Sequence, residues 1–302
     1  MKRSVMKQGP STFVISLPSL WTKKHGIKKG DLLDINEHNN SLVIGPKREA
    51  VSSSITLDVS GTLPMTKRIA GALYKTGYDD ITLHYSSFAE LEQIRACFQE
   101  VVGLEIIENT KGRVVIKKLA ALDAEEFDTL LKKQFHILKT MADESLQAVL
   151  NRDKELLQEV IARDTTFGKF SDFCRRQLIQ QGWVNAHRTP AVYYIVEQLE
   201  KIADVYKHIC RDALKESVGF GKETIALYTE VNGFVNQVYL LYYDFDLKKM
   251  TVFGKKGEEL KRKINERMKL SLKDDRWVVN RLAIITDLTF DLNGSLMVAF
   301  VQ

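Results

Sequence analysis

Apolar and polar residues alternate near the start of the chain. Phe13, Ile15 and Leu17 occupy every second position, with Val14 and Ser16 between them, the pattern of a half-buried strand. Pro18 ends it, because proline donates no ladder hydrogen bond. Ser19 is placed to cap a short helix through Leu20, Trp21 and Lys24, and Gly26 to stop that helix. Lys29-Gly30-Asp31 reads as a turn. Leu32–Ile35 and Leu42–Ile44 read as a hairpin across Glu37–Ser41, where His38, Asn39 and Asn40 tolerate positive φ. The predicted order is strand, short helix, strand, turn, strand. So short a stretch carries too little apolar surface for a stable core of its own.

Residues 53–119 predict a small central α/β unit. Ser54–Asp58 is a strand, and Leu63–Lys75 a helix with Pro64 near its first turn and Ile69, Leu73 and Tyr74 on one face. Gly77 stops that helix, and Ile81–Tyr85 is the next strand. Ser87–Val101 is helical through Leu91, Ile94 and Phe98, and Leu104–Glu108 and Arg113–Lys118 close the unit across Asn109–Gly112. The unit holds no phosphate loop and no paired catalytic residues. A spacer, an interface or a small-molecule sensor all fit it.

From Asp123 onward the apolar period becomes helical. Asp123-x-x-Glu126 has the form of a capping box. Phe127, Leu130, Leu131, Phe135, Leu138, Met141, Leu146 and Val149 then follow one face. A second helix runs over about 152–181, and a third starts at Thr189-Pro190 and runs to about Ser217. Three more fit about 222–243, 246–271 and 275–298. Six helices in two sets of three make an antiparallel bundle over 122–302. A faint internal repeat agrees: Leu199-Glu200-Lys-Ile202-Ala-Asp204 can be laid on Leu282-Ala283-Ile-Ile285-Thr-Asp287.

Charge changes this picture. Residues 1–48 hold nine Lys/Arg and three acids, a net of +6, whereas the whole chain of 302 residues is +5. All the excess positive charge therefore sits at the front, which points to a polyanion partner. The composition, 44% apolar and 27% charged, is that of a globular chain. No uninterrupted apolar run reaches membrane-spanning length, and no apolar signal core precedes Gly9-Pro10. Cys97, Cys174 and Cys210 are odd in number and scattered, as reduced cytosolic thiols are. The expected location is the cytoplasm, with no membrane insertion.

The strand order, with Leu17-Pro18 after the first strand and Gly26-Ile27-Lys28-Lys29-Gly30-Asp31 before the second, resembles the AbrB/SpoVT-type swapped-hairpin domain over residues 1–50. That resemblance implies a homodimer in which two chains interleave strands into one barrel and bind duplex DNA. Carried over, the contacts are Arg3, Lys7, Ser11, Lys23, Lys24, Lys28 and Lys29. Lysine and arginine would hold phosphates, and Ser11 would donate a hydrogen bond. Read without the family, each lysine is equally a solvated surface charge.

The helical part resembles the phosphate-uptake regulator family, PhoU. Val160-Ile161-Ala-Arg163-Asp164, Glu197-Gln-Leu-Glu200-Lys-Ile-Ala203-Asp204 and Met141-Ala-Asp-Glu-Ser-Leu146 carry the likeness. The central unit, through Ile69-Ala70, Tyr74-Lys-Thr-Gly77-Tyr78 and Val102-Gly103-Leu-Glu105-Ile106, is similar to the segment joining the two parts in archaeal proteins of this kind. The implied fold class is multidomain α+β: a swapped-hairpin β-barrel half, a small central α/β unit and a PhoU-like antiparallel bundle of two three-helix repeats.

In that family, E(D)-x-x-x-D motifs on facing helices bind clusters of iron, zinc or similar cations. Carboxylates four residues apart share one helical face, and two such pairs make an oxygen-rich cage. This chain departs from the pattern. Glu200-x-x-x-Asp204 is intact, but the motif begun by Asp164 has Gly168 in its second place. In the second repeat Asp287 has Ala283 at the matching first position, and the counterparts of the other pair are Gly257 and Lys261. The resemblance implies at most one divalent-metal site, on Glu200, Asp204, Asp164 and His208. The alternative is a solvated face carrying Lys201 and Lys207.

Other features carry no chemistry. Gly219-Phe220-Gly221-Lys222-Glu223 lacks the glycine spacing and the hydroxyl residue of a phosphate loop and reads as a turn between helices. His25, His84, His136 and His187 are scattered, and Tyr239, Tyr242 and Tyr243 pack a helix face or an interface. No enzyme is expected. The expected function is a DNA-binding transcriptional regulator linked to phosphate uptake, whose bundle senses a signal or docks on a transporter ATPase or signalling protein. Two alternatives stand beside it: an adaptor that only dimerises through its hairpin, and an antitoxin-like head whose C-terminal part would be disordered.

Overall fold

Among the described residues, two antiparallel strand pairs and one short helix make up the first unit of the chain. The computed structural model describes residues 3–38, 41–46, 53–119, 125–183, 185–215, 220–270 and 273–301. It divides into Met1–Val51 and Ser52–Gln302. In the first unit, strand β1 (Val5–Gln8) pairs with β2 (Thr12–Ile15), Lys7 facing Phe13. Helix α1 (Ser19–Lys24) follows, then β3 (Leu33–His38) and β4 (Ser41–Pro46), paired with Ile35 opposite Ile44. The turn expected at Asn39-Asn40 lies outside the described residues. The sheets are two separate pairs of strands, and no closed barrel forms among the described residues.

Three local details differ from the sequence reading. Strand β1 has no predicted counterpart, since adjacent Val5 and Met6 break any alternation. Ser19 does not cap α1: Pro18 holds the cap position without a side-chain bond, and Ser19 is the first helical residue. Phe13 and Ile15 are not half-buried but 68% and 48% exposed. Gly26, at φ +64°, ends α1 as expected, and Ile27 N–H donates back to the Thr22 carbonyl.

The second unit begins with a four-stranded sheet ordered β5 (Ser54–Asp58), β6 (Asp80–His84), β8 (Arg113–Lys118), β7 (Leu104–Thr110). β5 and β6 run parallel, joined through α2 (Thr66–Thr76), while β8 is antiparallel to both its neighbours. Pro64 follows a cis peptide bond and lies just ahead of α2, which starts at Thr66 and not at Leu63. Gly77 closes α2 at φ +99°, and a Cβ there would meet the Gln180 side chain at 2.7 Å. Helix α3 (Phe88–Gln99) opens on a reciprocal capping box between Ser87 and Glu90. Ala70, Tyr74, Ile81, Leu83, Ile94, Phe98, Val114 and Ile116 form the core of this layer.

Seven helices complete the unit: α4 (Glu125–Asn151), α5 (Lys154–Gln181), α6 (Thr189–Lys215), α7 (Lys222–Tyr243), α8 (Leu247–Leu270), α9 (Lys273–Phe290) and α10 (Leu292–Phe300). The first three pack on one another, as do α7, α8 and α9, and the two sets meet through α4 on α7 and α6 on α9 and α10. The expected capping box at Asp123 lies outside the described residues; Asp153 caps α5 by accepting from Leu156 N–H. The last expected helix is divided at Asp291, where an unbroken apolar pattern gives no sign of it. Asp275–Phe300 is long and apolar enough to cross a membrane by length and composition. The sequence reading finds no such run because Arg281, Asp287 and Asp291 interrupt it. Within the fold, Val278, Val279, Leu282, Ile285, Leu292, Leu296 and Ala299 are buried in the bundle core.

Several polar groups inside that core pair with one another. Asn232 accepts from the Tyr206 hydroxyl at 2.8 Å and donates to the Ala142 carbonyl at 2.7 Å. Ser145 and the Tyr228 hydroxyl lie 2.8 Å apart, and the Tyr206 and Tyr228 rings stack. Tyr239, Tyr242 and Tyr243 close around Phe135, so the expected tyrosine face is an internal packing surface.

The sheet layer is fastened to the bundle by α5. Arg176, 3% exposed, donates to the Tyr74 carbonyl at 2.6 Å and to Asp79 at 2.5 Å, and its guanidinium lies over the Tyr74 ring. Gln180, one turn on, donates to the Gly77 carbonyl. A buried guanidinium demands such a set of acceptors, so its position is specified on both sides.

Candidate functional site

The seven head residues singled out by sequence all lie on the surface. Lys7 is in β1, and Ser11 is in the turn that joins β1 to β2. Lys23 and Lys24 lie in the last turn of α1, and Lys28 and Lys29 follow four and five residues after its end, beside a turn in which Asp31 accepts from Lys28 N–H at 2.7 Å. Gly30, at φ +95°, lets the chain reverse there. Arg3 precedes β1. All seven are exposed, and none of the six cationic side chains makes an ion pair among the described residues. Such charges are free to meet phosphates at no cost in broken pairs.

Many apolar residues of the same unit are exposed as well, and the other described ones are half-buried. Val5, Met6, Phe13, Ile15, Leu20, Leu32, Ile35 and Leu42 range from 48% to 79% exposed. No described residue before Ser53 is buried. A monomeric surface rarely leaves so much apolar area open.

The second candidate site lies where α5 and α6 face the sheet layer. Here the residues of the metal expectation take other partners. Asp164 and Asp204 do come together, but on the ammonium of Lys207, which bonds Asp164 at 2.7 Å and also Asp204. Glu200 is taken by Arg175, with Ser171 donating to it at 3.0 Å. Desolvation raises Asp164 and Glu200, their cationic partners notwithstanding. Lys207 is desolvated too, but its two carboxylate partners outweigh that and raise it, so it stays charged. His208 is pushed down, first by desolvation and then by Lys207 and Arg281, and makes no hydrogen bond with either aspartate. In the second repeat Lys261 pairs with Asp287 at 3.1 Å. Among the described residues no group of three or more His, Cys, Asp or Glu is arranged to hold a metal ion. Fixed cations from the chain stand where the family pattern would place metal, and the residues do not fit that group.

This arrangement was only partly visible in the sequence. Asp204 and Lys207 are three apart on one helix, a legible pair. Asp164 lies on another helix, so the bridge depends on the packing of α5 against α6. Arg175 and Arg176 were not singled out at all, although two arginines inside an apolar-patterned helix are a signal for buried pairing.

A basic hairpin unit without an internal core, joined to a sheet layer and two three-helix sets, defines a β head on a helical regulator-type bundle. Comparison with known families agrees. Residues 131–213 match the PhoU domain, and residues 6–51 match Antidote-toxin recognition MazE, bacterial antitoxin. The chain therefore carries a PhoU domain in its helical part and a MazE/AbrB-like domain at its N-terminus. Among solved structures, it is similar to the crystal structure of the phosphate transport system regulatory protein PhoU from Streptococcus pneumoniae, with 15% identity, 57% of this chain and 92% of that one covered, and a TM-score of 0.47. No curated protein matches it.

Proposed function

We propose that this protein is a homodimeric, DNA-binding transcriptional regulator linked to phosphate uptake. Two heads interleave their hairpins, and Arg3, Lys7, Lys23, Lys24, Lys28 and Lys29 of each copy hold duplex phosphates, with Ser11 as a hydrogen-bond donor. One observation carries this reading: in the head no described residue is buried, eight large apolar side chains are exposed, and the candidate cations are unpaired. Exposed apolar strands gain most from a second copy, and the free charges then line up for a polyanion. The phosphate link rests on the PhoU domain match and is an analogy of fold. In that reading the bundle receives a signal or docks on a transporter ATPase or signalling protein.

The MazE match favours a second reading, a head that captures a toxin. That reading calls for a disordered C-terminal part, whereas α4 to α10 form a packed bundle. A head that only dimerises for an adaptor is the remaining rival. Light scattering and fluorescence anisotropy with random-sequence duplex at low salt separate the proposal from the adaptor. The expected result is a dimer that binds DNA. A monomer without DNA affinity refutes the proposal, and a dimer without it leaves the adaptor.

A further inference from the structure

A cleft of about 470 Å³ runs between α2 and α3 of the sheet layer and α5 and α6 of the bundle. Its acids are already matched. Glu100 pairs with Lys67, Asp172 with Lys75 and Arg175, Glu200 with Arg175, and Asp164 and Asp204 with Lys207. Three cations on the cleft wall are left over. Arg68 from α2, Lys169 from α5 and Arg211 from α6 make no hydrogen bond or ion pair among the described residues. With Arg175 counted, seven basic side chains meet five carboxylates. The surplus is positive and is drawn from both walls. The Thr165 hydroxyl, also on the wall, has no partner among the described residues.

We infer that this cleft binds a small phosphorylated ligand between the sheet layer and the bundle, with Arg68, Lys169 and Arg211 as its phosphate contacts. Arginine forks suit phosphate oxygens, and two arginines with a lysine match a ligand carrying two or more negative charges. The volume is that of a ligand-sized pocket, larger than a single inorganic anion needs. The fixed pairs matter as much as the free cations. By neutralising Asp164, Asp204 and Glu200, Lys207 and Arg175 remove the repulsion that would turn an anion away. Because the ligand would touch α2 on one side and α5 and α6 on the other, its binding would tie the two layers more firmly together. The inference stands apart from DNA binding, and either can fail alone.

Calorimetric titration of the full chain with inorganic phosphate, pyrophosphate and ADP in turn tests it. Saturable binding of at least one probe is expected, weakened roughly tenfold by each of Arg68→Gln and Arg211→Gln, the loss of one charge-assisted contact. Lys169→Gln should weaken it as well, and Arg262→Gln, exposed on α8, should not. Binding of inorganic phosphate alone assigns the site to the free anion, and binding of ADP or pyrophosphate alone assigns it to a phosphoryl ester or anhydride. Thermal melts of the single variants, each altered at the surface, guard against misfolding. No saturable binding of any probe overturns the inference, and so does binding that survives both arginine substitutions unchanged.

Discussion

Replacing Lys23, Lys24, Lys28 and Lys29 with alanine removes four of the six candidate phosphate contacts that each head supplies. In a dimer that is eight of twelve. The logarithm of the binding constant falls with the logarithm of salt at about −0.9 per phosphate neutralised, which sets a limit near −11 for twelve contacts and about −4 for the four that remain. If only half of the contacts form in either protein, the ratio of the slopes is still about one third. Between about 50 and 200 mM salt, the wild type should lose about 10³-fold or more in affinity and the variant at most about 10²-fold. Fluorescence anisotropy with a short duplex across that range measures both slopes. The four lysines are exposed and unpaired, so the melting curve of the variant should match that of the wild type, as surface substitutions usually do. Equal slopes for the two proteins would refute the contact assignment, even if the variant bound more weakly at every salt concentration.

Further outcomes follow from the second unit. Arg176→Leu should cost about 1–3 kcal/mol in urea unfolding, since it removes the buried donor of the Tyr74 carbonyl and leaves Asp79 only Lys118 at 3.8 Å and Gln180 at 3.4 Å; Asp79→Asn in the same chain should recover part of that loss. Gly257→Ala should cost about 1–3 kcal/mol by the same assay, because a Cβ there would overlap the Phe290 ring with Phe234 at 3.1 Å behind it. Glu90 is held at about 2 by the Ser86 N–H first, against desolvation, with the N–H groups of Ser87 and Gly61 adding to it. Its folded value is depressed, so its stabilisation is complete above its ordinary value of 4.5 and disappears as pH falls toward 2. Acid unfolding of Glu90→Gln should lack that part of the slope over the same window.

Helix spans were the most legible part of the fold. The spacing of Val192, Ile195, Leu199, Ile202, Tyr206 and Ile209 places the buried face of α6 directly. Strand β1 and the division at Asp291 were not legible, because four residues with two adjacent apolar side chains show no period, and because the apolar pattern runs on through the break. The Ser87-to-Glu90 capping box stands in the sequence as an S-x-x-E pattern, yet its second use, binding Gly61 of the loop after β5, depends on the fold. The head contacts were readable as charge, whereas the exposure of Phe13 and Ile15 was misjudged. Alternation tells which side chains share a face, not whether the covering surface comes from the same chain. The carboxylate motif erred in the opposite way. Spacing put Glu200 and Asp204 on one face of α6, but Lys207 and Arg175 decide their chemistry, and the link to Asp164 crosses 43 positions of chain.

A front end that fully buries none of its described greasy side chains would, under the proposed pairing, make its own shape a matter of abundance. Where copies are scarce, the paired population grows with the square of their number, so a doubling in synthesis becomes about a fourfold rise in working heads. A cell holding such a molecule would possess a steep, threshold-like response to its production rate, set by a few exposed strands and needing no additional messenger.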